Sequence, residues 1–280
     1  MVGIKQKQPL WTGNYIRLCA ATFFIFCAFQ ILAPILPKYS ADIGIAKKYI
    51  GLITMSFTVT AVSLRPFVGR ECDRHGRRVF YVFGLVLFFL AIVGFYLAST
   101  VQALLALCLV EGIGWACANT STYAIAADLV PLERRGEGMG YVGFFSNLAM
   151  AIAPAIGLAI LADYGYPSVF LLVVIFALIT VLIGVTIIPP AYEKVSADTG
   201  LKPVLIDRRA VPTSLLMFFF AFSYGAIPTL LPLYAAECGI INIGPYFSVF
   251  ALAIMLSRPI AGKYYDRKGP FMIITGGAFL

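Results

Sequence analysis

Charge is missing from eight long stretches of this 280-residue chain: 18–37, 49–64, 79–110, 112–127, 138–162, 164–192, 210–236 and 238–257. A helix that crosses a bilayer needs about 20 mostly apolar residues, with a range of roughly 17–25. The run 79–110 is too long for one crossing, and Ser99 and Thr100 break it. The spacing predicts spans over 15–37, 49–69, 79–98, 103–127, 139–162, 167–189, 212–235 and 243–262, with a ninth beginning near 271. Composition agrees: 61% of the residues are hydrophobic and 12% charged, whereas a soluble domain carries about 25% charge. So few charges cannot cover a core this apolar in water. The chain reads as an all-α membrane protein with about eight full transmembrane helices and part of a ninth.

The first span is expected to stay in the mature protein. Lys5 and Lys7 precede an apolar stretch too long for a secretory signal, with no small-residue cleavage site after it. The six cysteines form no CxxC pair and five lie in or beside predicted spans, which indicates neither a disulfide framework nor a metal site. Alternating the loops puts all but three of the 21 Lys and Arg on one side; only Lys38, Lys47 and Lys48 fall on the other. Positive charge resists translocation, so the rich side is cytoplasmic and holds the N-terminus. The net charge of +8 is thus a mark of topology and anionic inner-leaflet lipid, with no call for a nucleic-acid partner.

The chain also repeats itself. LPKYSADIGI at 36–45 returns as LPLYAAECGI at 231–240, an offset of 195. RPFVGRECDRHGRR at 65–78 returns as RPIAGKYYDRKG at 258–269, an offset of 193. A unit of six helices is even, so both copies face the same way, a parallel repeat. This divides the chain into a six-helix bundle over 1–190, a polar cytoplasmic linker over 191–211, and an incomplete second bundle over 212–280. Position 280 corresponds to 87 in the first copy, so counterparts of residues 88 to about 190 are missing, and the chain reads as a fragment or a truncated gene product.

On these residues the chain resembles the major facilitator superfamily, twelve-helix secondary transporters built from two six-helix bundles. Gly69, Asp73, Arg74, Gly76, Arg77 and Arg78 fit that family's GxxxDRxGRR loop between the second and third helices. Gly262, Asp266 and Arg267 form a partial copy. Chemistry gives these residues reasons of their own. Gly76 allows a tight reversal, Gly69 lets a neighbouring helix approach, and the arginines remain in the interface. A carboxylate such as Asp73 suits a helix N-terminus or an arginine partner. The resemblance implies that Asp73 helps lock the inner face shut. His75, the sole histidine, reads as incidental.

Within the fifth span, Gly140, Ala149, Ala153, Pro154 and Gly157 resemble the G-x8-G-x3-GP-x2-G signature of the family's drug–proton antiporters, with alanine at two glycine positions. Small residues on one face permit close helix contact, and a proline frees a backbone carbonyl. The fourth span departs from the pattern. Gly112 and Gly114 are present, but Cys108 stands where proton-coupled members carry arginine, and Glu111 at the polar position.

Glu111 is the one charge well inside a span. An acidic residue there costs about 2.5–3.5 kcal/mol on insertion scales, so it should face a cavity. Cys108, Glu111, Trp115, Asn119 and Thr122 recur at three- and four-residue steps and share a helix face. A carboxyl, an indole and an amide suit a cationic or amphipathic ligand, with the indole as a cation–π surface. Gln30, Asn147, Ser223 and Tyr224 are further candidates for the cavity wall, because the resemblance places helices one, four and seven around it.

The function expected is secondary transport of a small molecule in the plasma membrane, with proton-coupled efflux of amphipathic compounds as the first choice. An importer or a sugar or metabolite exporter of the same fold, a membrane sensor or scaffold, and an inactive truncated product are the alternatives. No GxxxxGK[ST] loop and no nucleophile–base pair occurs, so neither ATP-driven transport nor an enzyme is indicated, and no cofactor is called for. For a complete protein of this kind a monomer is favoured.

Overall fold

The computed structural model describes residues 9–190, 211–238 and 244–269. Lipid offers the backbone no hydrogen-bond partner, so a spanning segment must satisfy its own amides as a helix. The described residues follow that rule: α1 (Gly13–Asp42), α2 (Lys47–His75), α3 (Arg77–Leu97), α4 (Val101–Leu129), α5 (Arg135–Val185), α6 (Val211–Glu237) and α7 (Gly244–Lys268). Thr12 caps α1 by accepting from the Tyr15 N–H at 3.3 Å, and Thr100 caps α4 by accepting from Ala103 at the same distance. The predicted break at Ser99 and Thr100 thus has a capping hydroxyl as its cause. Gly76 joins α2 to α3 at φ 100°, a backbone state that residues with a Cβ rarely adopt, as the reversal required.

The 51-residue α5 holds both the fifth and sixth predicted spans. A straight helix of that length would extend about 77 Å, more than twice a hydrocarbon core of about 30 Å. The continuity is broken at Gly165, with φ 76° and ψ 179°, two residues before Pro167. The reversal falls between the predicted limits of the two spans. Pro154 lies in the helical part of the first limb, and Gly165 is the position in α5 whose φ/ψ leave the helix. All of the linker over 191–211 except Val211, and the ninth span near 271, lie outside the described residues.

The described residues fall into two compact units, one holding 9–190 together with 255–269, the other holding those between 211 and 254. Within the first, α1 lies along α5, while α4 packs against both α2 and α3. Ile31 of α1 meets Gly157 on the first limb of α5, and Phe24 meets Phe176 on the second, with ring centroids 5.6 Å apart. The Tyr15 hydroxyl donates to the Gly138 carbonyl at 2.6 Å in a buried position. At the opposite end, Tyr39 donates to Ala98 O at 2.9 Å, and Tyr166 donates to the Asp42 carboxylate.

Lipid tails are as apolar as leucine, so close fit rather than exclusion of water holds such helices together. The α3–α4 crossing shows how close. A methyl group added at Gly84 would stand 2.8 Å from Gly114 O, and one at Gly114 would stand 2.6 Å from Phe88 N. Gly84→Ala is therefore expected to cost about 1–3 kcal/mol by overpacking. Detergent-solubilised protein should unfold at lower temperature, and an unchanged midpoint would mean the crossing has slack.

Candidate functional site

Two places concentrate polar side chains: the arginine-rich ends of the helices and the buried face of α4. At the first, the two copies of the repeated loop use their carboxylates differently. Asp73 is exposed and accepts from Arg77 Nη2 at 3.3 Å. Arg77 in turn donates to Asp128 Oδ1 at 2.5 Å and to Ala124 O at 2.9 Å, which ties the loop to the end of α4. Burial alone would loosen the proton of Arg77, but Asp128 and then Asp73 outweigh it and hold the guanidinium more firmly charged than usual. Arg74 and His75 both reach Glu71, at 3.8 and 3.0 Å.

Asp266 instead takes a helix N-terminus. Its two oxygens accept from the N–H groups of Gly136 and Glu137, at 2.7 and 2.8 Å. The first-turn amides of α5 have no partner in their own helix, and a carboxylate also meets the positive end of the helix dipole. Glu137, nearly buried, accepts from Arg134 Nε at 2.8 Å and pairs with Lys263 at 3.4 Å. The backbones come close to contact: a methyl group at Gly136 would stand 2.7 Å from Gly262 O, and one at Gly140 would stand 2.7 Å from Arg258 O. The result is a clasp between the first turns of α5 and the last turns of α7. Arg267, in the last turn of α7, is exposed.

Some expectations are corrected by this geometry. Gly69 was expected to admit a neighbouring helix, yet a methyl group there would only reach ordinary contact, 4.0 Å from Thr120 Cγ2. The small residues of the fifth span do not form a single seam. Gly140 faces α7, Gly157 faces α1, and Ala149 and Ala153 are fully buried. Glu137, Arg134, Lys263 and Asp128 were not singled out from sequence. The signal available was three acids, Asp128, Glu133 and Glu137, around the basic pair Arg134–Arg135.

On α4, Cys108, Glu111, Trp115 and Thr122 are all buried and Asn119 is half-buried, so the shared face exists. Gly112 lets α4 approach α2, where a methyl group would stand 2.8 Å from Phe57 O, and Gly114 does the same toward α3. Thr122 spends its hydroxyl on Ala118 O at 2.8 Å. Trp115 sits among four phenylalanines, with ring centroids 4.5 Å away for Phe29, 5.0 Å for Phe26, 6.0 Å for Phe88 and 6.3 Å for Phe57. Phe29 is tilted only 32° from the indole plane, so an indole face expected to receive a cation is covered by a ring. Glu111 is 3% exposed, beside Cys108 and with no ion pair among the described residues. Gln30 and Asn147 are half-buried, and the Asn147 Nδ2 is buried without a hydrogen-bond partner. The side chains of Ser223 and Tyr224 lie outside the described residues.

Comparison with known proteins places this geometry in context. The family model described as Major Facilitator Superfamily matches residues 18–280. The Staphylopine export protein of Staphylococcus aureus is 25% identical over 274 residues, covering 91% of this chain and 66% of its own length. The Quinolone resistance protein NorA of Staphylococcus aureus is 22% identical over 220 residues, covering 77% of this chain and 56% of its own. The chain thus spans less than two thirds of either relative. Among solved structures, the human organic anion transporter MFSD10 (TETRAN) superposes with a TM-score of 0.70 at 18% identity, covering 92% of this chain and 73% of that one.

Proposed function

The chain belongs to the major facilitator superfamily, and from that premise we propose that it serves alternating-access transport of a small amphipathic molecule, in the direction of export and coupled to protons. The observation that carries this reading is the clasp in which Asp266 accepts from the α5 amides of Gly136 and Glu137. Charge-assisted hydrogen bonds between short polar groups make and break without disturbing a packed core, as a seam that opens in each cycle requires. Glu111, buried and without an ion pair among the described residues, supplies a group able to hold a proton or a cationic substrate. Cys108 stands in the place of the coupling arginine, so the proton route rests on Glu111. The two staphylococcal relatives, named for export and drug resistance, favour efflux over uptake. The Lys and Arg bias puts the clasp and the N-terminus on the cytoplasmic side.

The test is reconstitution of the protein in vesicles with a fluorescent cationic dye and an internal pH probe. Dye movement should be accompanied by opposite proton movement. Dye that stays put, or moves without any change in internal pH, would overturn the reading or its coupling. Asp73→Asn tests the first loop separately. Exposed ion pairs contribute about 0–1 kcal/mol, so turnover should fall by at most roughly fivefold with expression unchanged. Turnover equal to the wild type would leave Asp73 a topological role only.

A further inference from the structure

A cavity of ≈ 250 Å³ opens where α3 begins and α5 ends, lined by Gly76, Arg77, Arg78, Asp128 and the Ile188–Pro190 segment. Transport, as read above, makes no use of it. Two arginines and a single carboxylate line it. Arg77 is answered by Asp128 and Asp73, whereas Arg78 gives one N–H to Val185 O at 3.0 Å and has no carboxylate within ion-pair distance among the described residues. A guanidinium carries five N–H donors in a fixed fork, so after the bond to Val185 it can still offer a pair of donors to a phosphate. Val79 and Phe83 on α3, Leu182 near the end of α5 and Ile188 just beyond it are all more than half exposed, so an apolar flank adjoins the charged pocket.

We propose that this cavity holds the headgroup of an inner-leaflet anionic phospholipid, its phosphodiester on Arg78 and its acyl chains along Val79, Phe83 and Leu182. One phosphodiester charge matches the one lining guanidinium that no carboxylate of the described residues answers. A zwitterionic headgroup would bring in a cation that the pocket does not need. Asp128 lines the cavity and spends one carboxylate oxygen on Arg77, which leaves the other as an acceptor for a headgroup hydroxyl, as on phosphatidylglycerol. A free phosphate could use the arginine but would gain nothing from the apolar flank. Arg77 also holds Asp73, so the lipid would sit one side chain away from the repeated loop.

The purified full chain in detergent can be titrated with dihexanoyl-phosphatidylglycerol, with the choline lipid of equal chain length, and with inorganic phosphate, and bound adducts counted by native mass spectrometry. One phosphatidylglycerol should bind in preference to the choline lipid, and equimolar phosphate should not displace it. Arg78→Gln should weaken it about fivefold or more. Ile188→Trp, which fills the cavity and leaves every charge in place, should weaken it too, and it alone decides the matter if Arg78→Gln fails to fold. Lys268→Gln, which removes an equal charge at the end of α7, should bind as the wild type does. Equal weakening by Lys268→Gln would mean diffuse surface charge, and displacement by phosphate would mean a soluble anion. Wild-type binding by both cavity variants would mean the lipid sits elsewhere. Any of the three overturns the proposal.

Discussion

Glu111→Gln is expected to remove the pH dependence of transport and to weaken binding of a cationic substrate roughly ten- to a hundredfold. The substitution keeps the size of the side chain and its ability to hydrogen-bond, and deletes only the negative charge and the exchangeable proton. A hydrogen bond to a charged group contributes about 1.5–3 kcal/mol, which sets the range of the loss. No second carboxylate stands on the Glu111 face of α4, and Asp128, at the end of the helix, is held by Arg77. Cys108 occupies the arginine position of proton-coupled relatives, Thr122 is committed to Ala118 O, and Trp115 is enclosed by Phe26, Phe29, Phe57 and Phe88. Folding should not suffer, because a neutral amide enters a membrane more easily than a carboxylate. Expression at or above wild type, with a flat pH profile, is the expected pair of results. Wild-type pH dependence in the variant would remove Glu111 from coupling.

The second large effect belongs to Asp266. Asp266→Ala deletes both acceptors that serve Gly136 and Glu137, leaving two first-turn amides of α5 without their partners. Losing a charge-assisted clasp of this kind should favour the parted arrangement by about 2–3 kcal/mol, roughly 30- to 150-fold. Glu137–Lys263 and the tight approach of Gly136 to Gly262 would remain, so the clasp should loosen rather than vanish. Hydrogen exchange reads this directly, since the two amides now protected by Asp266 should exchange faster by a similar factor. Unchanged exchange over 135–140 would mean that the carboxylate stabilises nothing.

The membrane helices and the family could be read from sequence because they rest on one-dimensional signals: runs without charge and a short basic loop. The break between the fifth and sixth spans was legible for the same reason, with Asp163, Gly165 and Pro167 interrupting the apolar run. Partners were less legible. A carboxylate in a basic loop fits a helix N-terminus or an arginine equally well, and only the fold assigns the arginine to Asp73 and the N-terminus to Asp266. Glu137 and Lys263 are 126 positions apart, and no local pattern links them. Trp115 shows the opposite failure: helical spacing placed it correctly on the buried face, but the rings that cover it come from α1, α2 and α3.

What remains is whether the clasp opens in each cycle. Glu137→Cys and Lys263→Cys replace two side chains that now meet at 3.4 Å, in a background where the exposed Cys238 is serine. Joining them with a short bis-methanethiosulfonate, which forms a disulfide with each cysteine and releases sulfinate, should stop flux in transporting vesicles, and a thiol reductant that cleaves both disulfides should restore it. Flux that continues unchanged through the cross-linked protein would show that substrate passes without the seam between α5 and α7 ever parting.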